Sequence, residues 1–242
     1  MKTIASGLQE VKRRIDGACL AAGREPDGVR LLAVSKTFDA DAVRTAHAAG
    51  QRDFGENHVQ EALAKIAALG DLAPLPVWHL IGPLQSNKTR AVAAAFDWVH
   101  TVDRLKTAER LADQRPQELP PLQLTIQVNV SGEASKSGVA PAEVGPLARA
   151  VAALPRARVV LRGLMSIPAP ADGLAAQRAP HQLLRELLAA LNAQGLALDT
   201  LSMGMSADLE AGVAEGATIV RVGSAIFGGR AVAASGRGDG TH

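Results

Sequence analysis

The chain contains no tyrosine, and its other aromatic residues are scarce: four phenylalanines and two tryptophans among 242 residues. A mechanism in which this chain alone supplies a tyrosine as acid or base is therefore excluded. There is one cysteine, Cys19, so no internal disulfide can form. Because Cys19 lies in a helical pattern, we expect a buried, inert thiol.

Charge of one sign is also not in excess. The 26 basic and 24 acidic residues leave a net charge of +2, and there is no basic tract or aromatic-interleaved patch. Nucleic-acid binding therefore has no electrostatic signature. No run approaches about 18 apolar residues, and the N-terminus lacks an apolar signal-like segment, so we expect a cytoplasmic protein without a membrane partner. Neither a GxGxxG fingerprint nor a Walker sequence is present.

Strand-like and helix-like segments alternate along the chain after an amphipathic N-terminal helix. The strand candidates are 30–35, 52–54, 77–81, 97–101, 122–130, 158–164, 199–203 and 217–222. The helix candidates are 39–49, 57–69, 86–95, 104–115, 141–153, 178–194 and 206–214. This alternation predicts one (β/α)₈ TIM barrel with an extra N-terminal helix over 1–230, while a doubly wound open sheet is the alternative. We expect a disordered tail at 231–242.

The first strand candidate ends in a lysine. By the period of two, Lys36 shares a strand face with the aliphatic residues Leu32 and Val34. The carboxyl end of a parallel strand is where the active sites of barrels lie. A lysine on that face would lose hydration, and its neutral amine would become available to attack a carbonyl. A solvated strand-end lysine is the alternative.

The last two strand candidates run into small polar residues. Gly204 lets the backbone approach a ligand, and Ser206 with free helix amides would form an anion site, although a simple helix N-cap is the alternative. Gly223 and Ser224 offer backbone N–H groups and a hydroxyl as a second half of a phosphate cradle. Arg221 lies in an apolar strand and needs acceptors, for which a structural ion pair is the alternative.

A lysine, a double phosphate cradle and a buried arginine at one end of a barrel are the groups that pyridoxal 5′-phosphate (PLP) requires. The lysine forms a Schiff base, the cradle holds the phosphate, and the arginine meets the pyridine nitrogen. Six segments then carry a resemblance: AVSK at 33–36, FGENHVQE at 54–61, WHLIGPLQSNK at 78–88, GLM at 163–165, SMGMS at 202–206 and RVGSAIFG at 221–228. The chain resembles the pyridoxal phosphate homeostasis protein family, which is related to the N-terminal barrel of alanine racemases.

The resemblance implies roles for particular residues. Lys36 would carry PLP as a Schiff base, Arg221 would face the ring nitrogen, and Asn57 would contact the cofactor from the loop after the second strand. Ser206, Gly223 and Ser224 would bind the phosphate; members commonly have threonine at position 224, and serine keeps the hydroxyl.

The roles of four further residues in or near the resembling segments stay open. His79 would line the cofactor pocket or be a satisfied core histidine. Met165 would pack over the ring or in the core. Lys136 resembles a family lysine near the cofactor mouth, or is a solvated loop residue, and the role of His58 stays open because members often carry arginine or tyrosine there.

The expected function is binding rather than turnover. The chain lacks both a tyrosine and the C-terminal β-domain through which alanine racemases receive their second base. We therefore expect a monomer that holds PLP in intracellular vitamin B6 homeostasis, with PLP-dependent apoenzymes as transient partners and without strong amino-acid turnover. A weak racemase that uses Lys36, and a Schiff-base aldolase-type barrel without a cofactor, are the alternatives.

Overall fold

The computed structural model describes residues 3–133 and 136–228; the tail predicted at 231–242 lies outside the described residues. Eight parallel strands close into a barrel in sequence order, with β8 pairing back onto β1. The strands are β1 (Arg30–Val34), β2 (Asp53–Glu56), β3 (Val77–Leu80), β4 (Trp98–Val102), β5 (Leu122–Gln127), β6 (Val159–Met165), β7 (Thr200–Met205) and β8 (Ile219–Val222). The barrel is confirmed, and the open sheet is excluded.

Helices surround the barrel and alternate with its strands. They are α1 (Ile4–Ala21), α2 (Ala40–Ala48), α3 (Val59–Ala68), α4 (Thr89–Ala95), α5 (Leu105–Gln114), α6 (Val144–Ala152), α7 (Leu174–Ala193), α8 (Leu209–Ala214) and the single turn α9 (Ser224–Phe227). The strands bury one face against these helices, as Leu122, Leu124 and Ile126 of β5 illustrate. No helix within the described ranges is long and apolar enough to span a bilayer.

The extra helix α1 begins with a capping box in which Thr3 and Ser6 bond each other's backbone amides. Its apolar face packs against α8 and α9, the helices that follow the last two strands. The packing is close, since a β-carbon at Gly7 would lie 2.7 Å from the carbonyl oxygen of Ile226. Cys19 of α1 is buried as predicted, and burial raises the pKa of its thiol.

Several helix boundaries differ from the prediction. The α-helices predicted over 86–95 and 141–153 begin three residues later, at Thr89 and Val144, each after a 3₁₀ turn. The helix predicted over 178–194 begins at Leu174, after Gly173 at a φ of 82°, and it accommodates Pro180. The helix predicted over 206–214 begins only at Leu209, because 206–208 form a turn in which the amide of Asp208 bonds the carbonyl of Met205. Ser206 is therefore not an N-cap, and the alternative that assigned it only that role is wrong.

Candidate ligand site at the carboxyl end of the barrel

A cavity of about 430 Å³ opens at the carboxyl ends of β1, β7 and β8. Six of the seven residues predicted for the site line it: Lys36, Asn57, Ser206, Arg221, Gly223 and Ser224. They come from four separate loops or strands of the chain, and closure of the barrel brings them together. The remaining wall is largely apolar and includes Val34, Phe38 and Ile81.

Lys36 lies just beyond the end of β1, in a turn whose next residue, Thr37, has a φ of 70°. Its ammonium makes no hydrogen bond to the described residues. Lys36 is exposed at the mouth of the cavity, so the expectation that its strand position would strip it of water is wrong. The strand ends at Val34, two residues before Lys36, and the turn carries the amine out to the rim.

Ser206 lies half-buried in the turn between β7 and α8, and its hydroxyl has no hydrogen-bond partner among the described residues. The two acidic residues nearby do not line the cavity, and their carboxylates have other partners. Asp208 is buried, accepts from His181 at 2.9 Å and from the Met205 amide at 2.7 Å. Glu210 pairs with Arg14 on the outside of the barrel.

Gly223 and Ser224 form the junction between β8 and α9. A β-carbon at Gly223 would lie 3.0 Å from the carbonyl oxygen of Val34, so this residue must be small for β8 to end close to β1. The first amides of a helix have no acceptor within that helix, so the start of α9 presents N–H groups beside the exposed Ser224 hydroxyl.

Arg221 is buried, yet it reaches the cavity from β8. Its Nη1 donates to the carbonyl oxygen of Ser202 at 2.6 Å and to the Ser202 hydroxyl at 2.8 Å, and its Nη2 donates to the carbonyl oxygen of Ser166 at 2.7 Å. These acceptors are neutral, so the direct ion pair that was the alternative is not formed. Burial lowers the pKa of Arg221 to about 10, against the opposing charge of Asp208, and the guanidinium therefore stays charged at neutral pH.

Asn57 reaches the cavity from the loop after β2, where Gly82 makes room for it: a side chain at Gly82 would collide with the Asn57 backbone. The other open positions do not line this cavity. Met165 is fully buried in β6, which favours the core interpretation. Lys136 borders a smaller neighbouring cavity and lies 3.6 Å from Glu133, while His58 is exposed at the start of α3.

The structure does not bring His79 to the cavity. It lies inside the barrel in the middle of β3, fully buried and stacked on Trp98 with ring centroids 5.4 Å apart. Its side chain faces the barrel interior, but its position along the barrel axis is below the level of the cavity. It is a satisfied core histidine, which was the alternative interpretation.

His79 belongs to a hydrogen-bonded chain through the barrel interior. The Asp53 carboxylate accepts a hydrogen bond from His79 Nε2 at 3.0 Å. His79 Nδ1 is therefore unprotonated, and it accepts a hydrogen bond from His100 Nε2 at 2.9 Å. His100 Nδ1 then accepts from the Ser202 hydroxyl at 2.9 Å, and that hydroxyl accepts from Arg221. With both imidazoles neutral, every link has one donor and one acceptor.

We expect the free energy of unfolding to fall as the pH drops below about 6.5. Burial lowers the pKa of His79, although Asp53 opposes the shift, and burial together with the neighbouring His79 lowers the pKa of His100 strongly. The unfolded chain therefore binds more protons below pH 6.5. Each histidine contributes at most about 1.4 kcal/mol per pH unit, and urea denaturation at pH 7.5 and 5.5 measures the loss.

A His100→Gln variant is the control, because it removes one of the two titrating histidines from the hydrogen-bonded chain in the barrel interior. Glu56 has the opposite effect on the pH dependence of stability, because burial raises the pKa of its carboxyl. The contribution of His100 is therefore measured as the difference between wild type and variant in how steeply the free energy of unfolding changes with pH. Equal slopes in the two proteins would contradict the prediction.

The aromatic pair beside the cavity, Phe38 and Phe227, was not predicted from the sequence. Phe38 lines the cavity and stacks on Phe227, with ring centroids 5.0 Å apart. These residues are far apart in sequence, and neither lies in a period that indicates a ligand. Only the closure of β8 onto β1 brings them together.

Comparison with known proteins gives a consistent result. The family model described as alanine racemase, N-terminal domain, matches residues 8–231. The chain is 62% identical over 230 residues to a pyridoxal phosphate homeostasis protein of Pseudomonas aeruginosa, covering 95% of this chain and 97% of that one. It is 52% identical to the protein of the same name from Escherichia coli K12, covering 95% and 98%.

Solved structures agree with these relatives. PipY of Synechococcus elongatus, solved with PLP bound, is 40% identical with a TM-score of 0.80, over 93% of this chain and 100% of that one. An alanine racemase of Clostridium difficile has a TM-score of 0.69 at 14% identity, over 91% of this chain and 57% of that one, which shows a shared fold alone.

Proposed function

The chain belongs to the pyridoxal phosphate homeostasis protein family, whose members share the alanine racemase N-terminal domain, and from this premise we propose that it binds PLP as a Schiff base on Lys36 and acts in vitamin B6 homeostasis. The observation that carries the proposal is the convergence of Lys36, Arg221 and the two serine-bearing turns on one cavity of about 430 Å³. A PLP-bound relative of the same fold supports it.

The residues present fit a flat, anionic aldehyde. Lys36 and Arg221 give the cavity two cations, and among the described residues no carboxylate lines it. Ser206, Ser224 and the first amides of α9 supply neutral donors of the kind that hold phosphate. Val34 and Ile81 provide apolar surface for an aromatic ring.

When bound, PLP supplies an aldehyde that condenses with an amine and a ring that accepts electron density. The residues that line the cavity favour binding of PLP over catalysis with it. Arg221 keeps its charge, and if the ring nitrogen lay against it, a proton on that nitrogen would be disfavoured and the ring would be a weaker electron sink. Lys36 is the one amine on the cavity wall in the described residues, and the hydroxyls of Ser206 and Ser224 are poor bases at neutral pH.

The proposal therefore assigns storage and delivery of PLP rather than strong amino-acid turnover. Lys36 and Ser224 are exposed at the rim of the cavity, which suits loading and release better than a water-free reaction site. We propose a cytoplasmic monomer with PLP-dependent apoenzymes as transient partners. The absence of tyrosine supports this role, because two copies of the chain could not supply one to each other.

Borohydride reduction of the PLP-loaded protein, followed by peptide mass spectrometry, tests the assignment. We expect one pyridoxyl adduct, on the peptide that contains Lys36. No adduct in loaded protein, or an adduct confined to another lysine, would defeat the assignment.

Loss of deuterium from the α-carbon of alanine tests the racemase alternative. Loss no faster than with free PLP supports a carrier, and faster loss supports the enzyme.

We expect Ser206→Ala and Ser224→Ala each to weaken PLP binding by about 10-fold or more, because a hydrogen bond to a charged group contributes about 1.5–3 kcal/mol. Pyridoxal, which lacks the phosphate, should bind all three proteins equally. Equilibrium ultrafiltration with both ligands measures the difference.

Ser86→Ala, at an exposed serine that does not line the cavity, is the matched control and should bind PLP as wild type does. An equal loss of pyridoxal and PLP affinity would show that the two serines shape the cavity rather than bind phosphate.

A further inference from the structure

The turn that presents Lys36 rests on a buried group of charges for which the proposed function gives no role. This Lys65 cluster consists of Lys65 and Glu61 of α3 and Glu56 at the end of β2. Lys65 is 5% exposed and Glu56 is fully buried, whereas the Glu61 side chain is 31% exposed. Charges are buried only where their contacts offset the loss of water, so the contacts of this cluster indicate what it stabilises.

Lys65 uses all three of its protons. Its Nζ donates to Glu56 Oε1 at 2.8 Å, to Glu61 Oε1 at 2.7 Å and to the carbonyl oxygen of Ser35 at 2.7 Å. Ser35 directly precedes Lys36, and its hydroxyl also donates to Glu56 Oε1, at 2.6 Å. The peptide group on the amino side of Lys36 is thus fixed directly by the ammonium.

The carboxyl side of Lys36 is held through the same cluster. The backbone amide of Thr37 donates to Glu61 Oε1 at 2.7 Å, the oxygen that Lys65 also binds. Thr37 has a φ of 70°, a left-handed conformation that a β-branched residue rarely adopts. Such a conformation persists where the surroundings over-determine it, and Glu61 supplies the bond that does so here.

We propose that Lys65 is a positioning residue, which fixes the peptide groups on both sides of Lys36 so that the Lys36 amine enters the cavity in one direction. Lys65 does not line the cavity, and it acts only through the carbonyl of Ser35 and, by way of Glu61, the amide of Thr37. The inference rests on the proposed function, since it presupposes that Lys36 captures PLP.

The cluster also accounts for both glutamates of the segment at 54–61. Glu56 holds Lys65 in the interior, and its second oxygen has no hydrogen-bond partner among the described residues. Glu61 connects that ammonium to the backbone. The two carboxylates therefore have separate tasks: Glu56 lies wholly in the interior, whereas Glu61 is partly exposed and binds the Thr37 amide directly.

The test compares Glu61→Ala with Glu61→Gln, because glutamine keeps an acceptor oxygen for the Thr37 amide. At limiting PLP, quenching with borohydride at timed intervals gives the rate at which Lys36 is captured. We expect Glu61→Ala to slow capture about 10-fold and Glu61→Gln to remain within about 2-fold of wild type, as a displaced amine loses its alignment with the aldehyde.

A second readout needs no cofactor. Amide hydrogen exchange at Thr37 in PLP-free protein should quicken in Glu61→Ala and not in Glu61→Gln. Asp71→Ala, which removes an exposed carboxylate paired with Arg44, is the surface control and should match wild type in both measurements. Lys65→Met should slow capture at least as much as Glu61→Ala; if it does not fold, the Glu61 pair still decides.

Capture at the wild-type rate in Glu61→Ala, with faster exchange at Thr37, would overturn the positioning role while leaving the proposed function intact. Failure of wild-type protein to form any Lys36 adduct would instead overturn the proposed function. The two failures are therefore distinguishable.

Discussion

Replacing Lys36 with alanine is expected to abolish the borohydride-trapped adduct and the visible absorption of PLP-loaded protein. Within the described residues no other lysine lines the cavity, so no second amine can replace it there. Lys36 is exposed and bonds no described residue, and substitutions of this kind usually change stability by about 0.5 kcal/mol or less. Ultrafiltration should still detect weak PLP binding, because the serines and the amides of α9 remain.

Two further variants separate the causes of that loss. Lys36→Arg keeps the positive charge but cannot form a Schiff base, and it should lose the adduct while binding PLP more tightly than Lys36→Ala. Lys88→Ala removes a half-buried lysine from a different cavity, and it should keep the adduct. An adduct of unchanged yield in Lys36→Ala, on Lys136 for example, would show that the capturing amine was assigned wrongly.

The barrel could be predicted because its signals are local. Most strands are short apolar runs between polar turns, and all eight predicted strands lie within a few residues of the observed bounds. The short strand β2 ends at Glu56 rather than at 54, because a glycine and a buried glutamate carry no strand signal. Likewise, α7 begins at Leu174 rather than at 178, and it accommodates Pro180 in its interior.

The prediction of the site succeeded for residues whose chemical type indicates a role, such as Lys36 and Arg221. It failed for His79, whose role depends on its level along the barrel axis. A period of two indicates which residues face the barrel interior but not their level along its axis, so the two interpretations of His79 could not be separated. Asn57 lies beyond a strand end and reaches the cavity, whereas His79 lies within β3.

Lys65 is the clearest case of a feature that the sequence conceals. Glu61 and Lys65 stand four residues apart on a helix, a spacing typical of a solvated surface pair. Nothing local indicates that α3 turns this pair inward onto Ser35 and Thr37. Those contacts join residues about thirty positions apart and exist only after β2 pairs with β1.

We expect Arg221→Met to lower the free energy of unfolding by roughly 2–4 kcal/mol and to weaken PLP binding as well. Methionine fills most of the volume but leaves the carbonyl oxygen of Ser166 buried without the Arg221 donor, at about 1–3 kcal/mol. It also removes both Arg221 bonds to Ser202, whose carbonyl oxygen keeps only the Ser166 amide as a donor. Removal of the buried cation offsets part of that cost, because a guanidinium in the interior is itself expensive. Urea denaturation and ultrafiltration measure the two effects.

Arg115→Met is the matched control that separates them. Arg115 is also buried, and it donates to the carbonyl oxygens of Ala93, Phe96 and Pro120, away from the cavity. Both variants should therefore lose comparable stability, but only Arg221→Met should lose PLP affinity. If Arg221→Met proved as stable as wild type and still bound PLP poorly, the guanidinium would be retained in the interior for the ligand rather than for the fold. If both variants lost PLP equally, the loss would follow from weakened barrel packing, and the assignment of Arg221 to the ring nitrogen would fail.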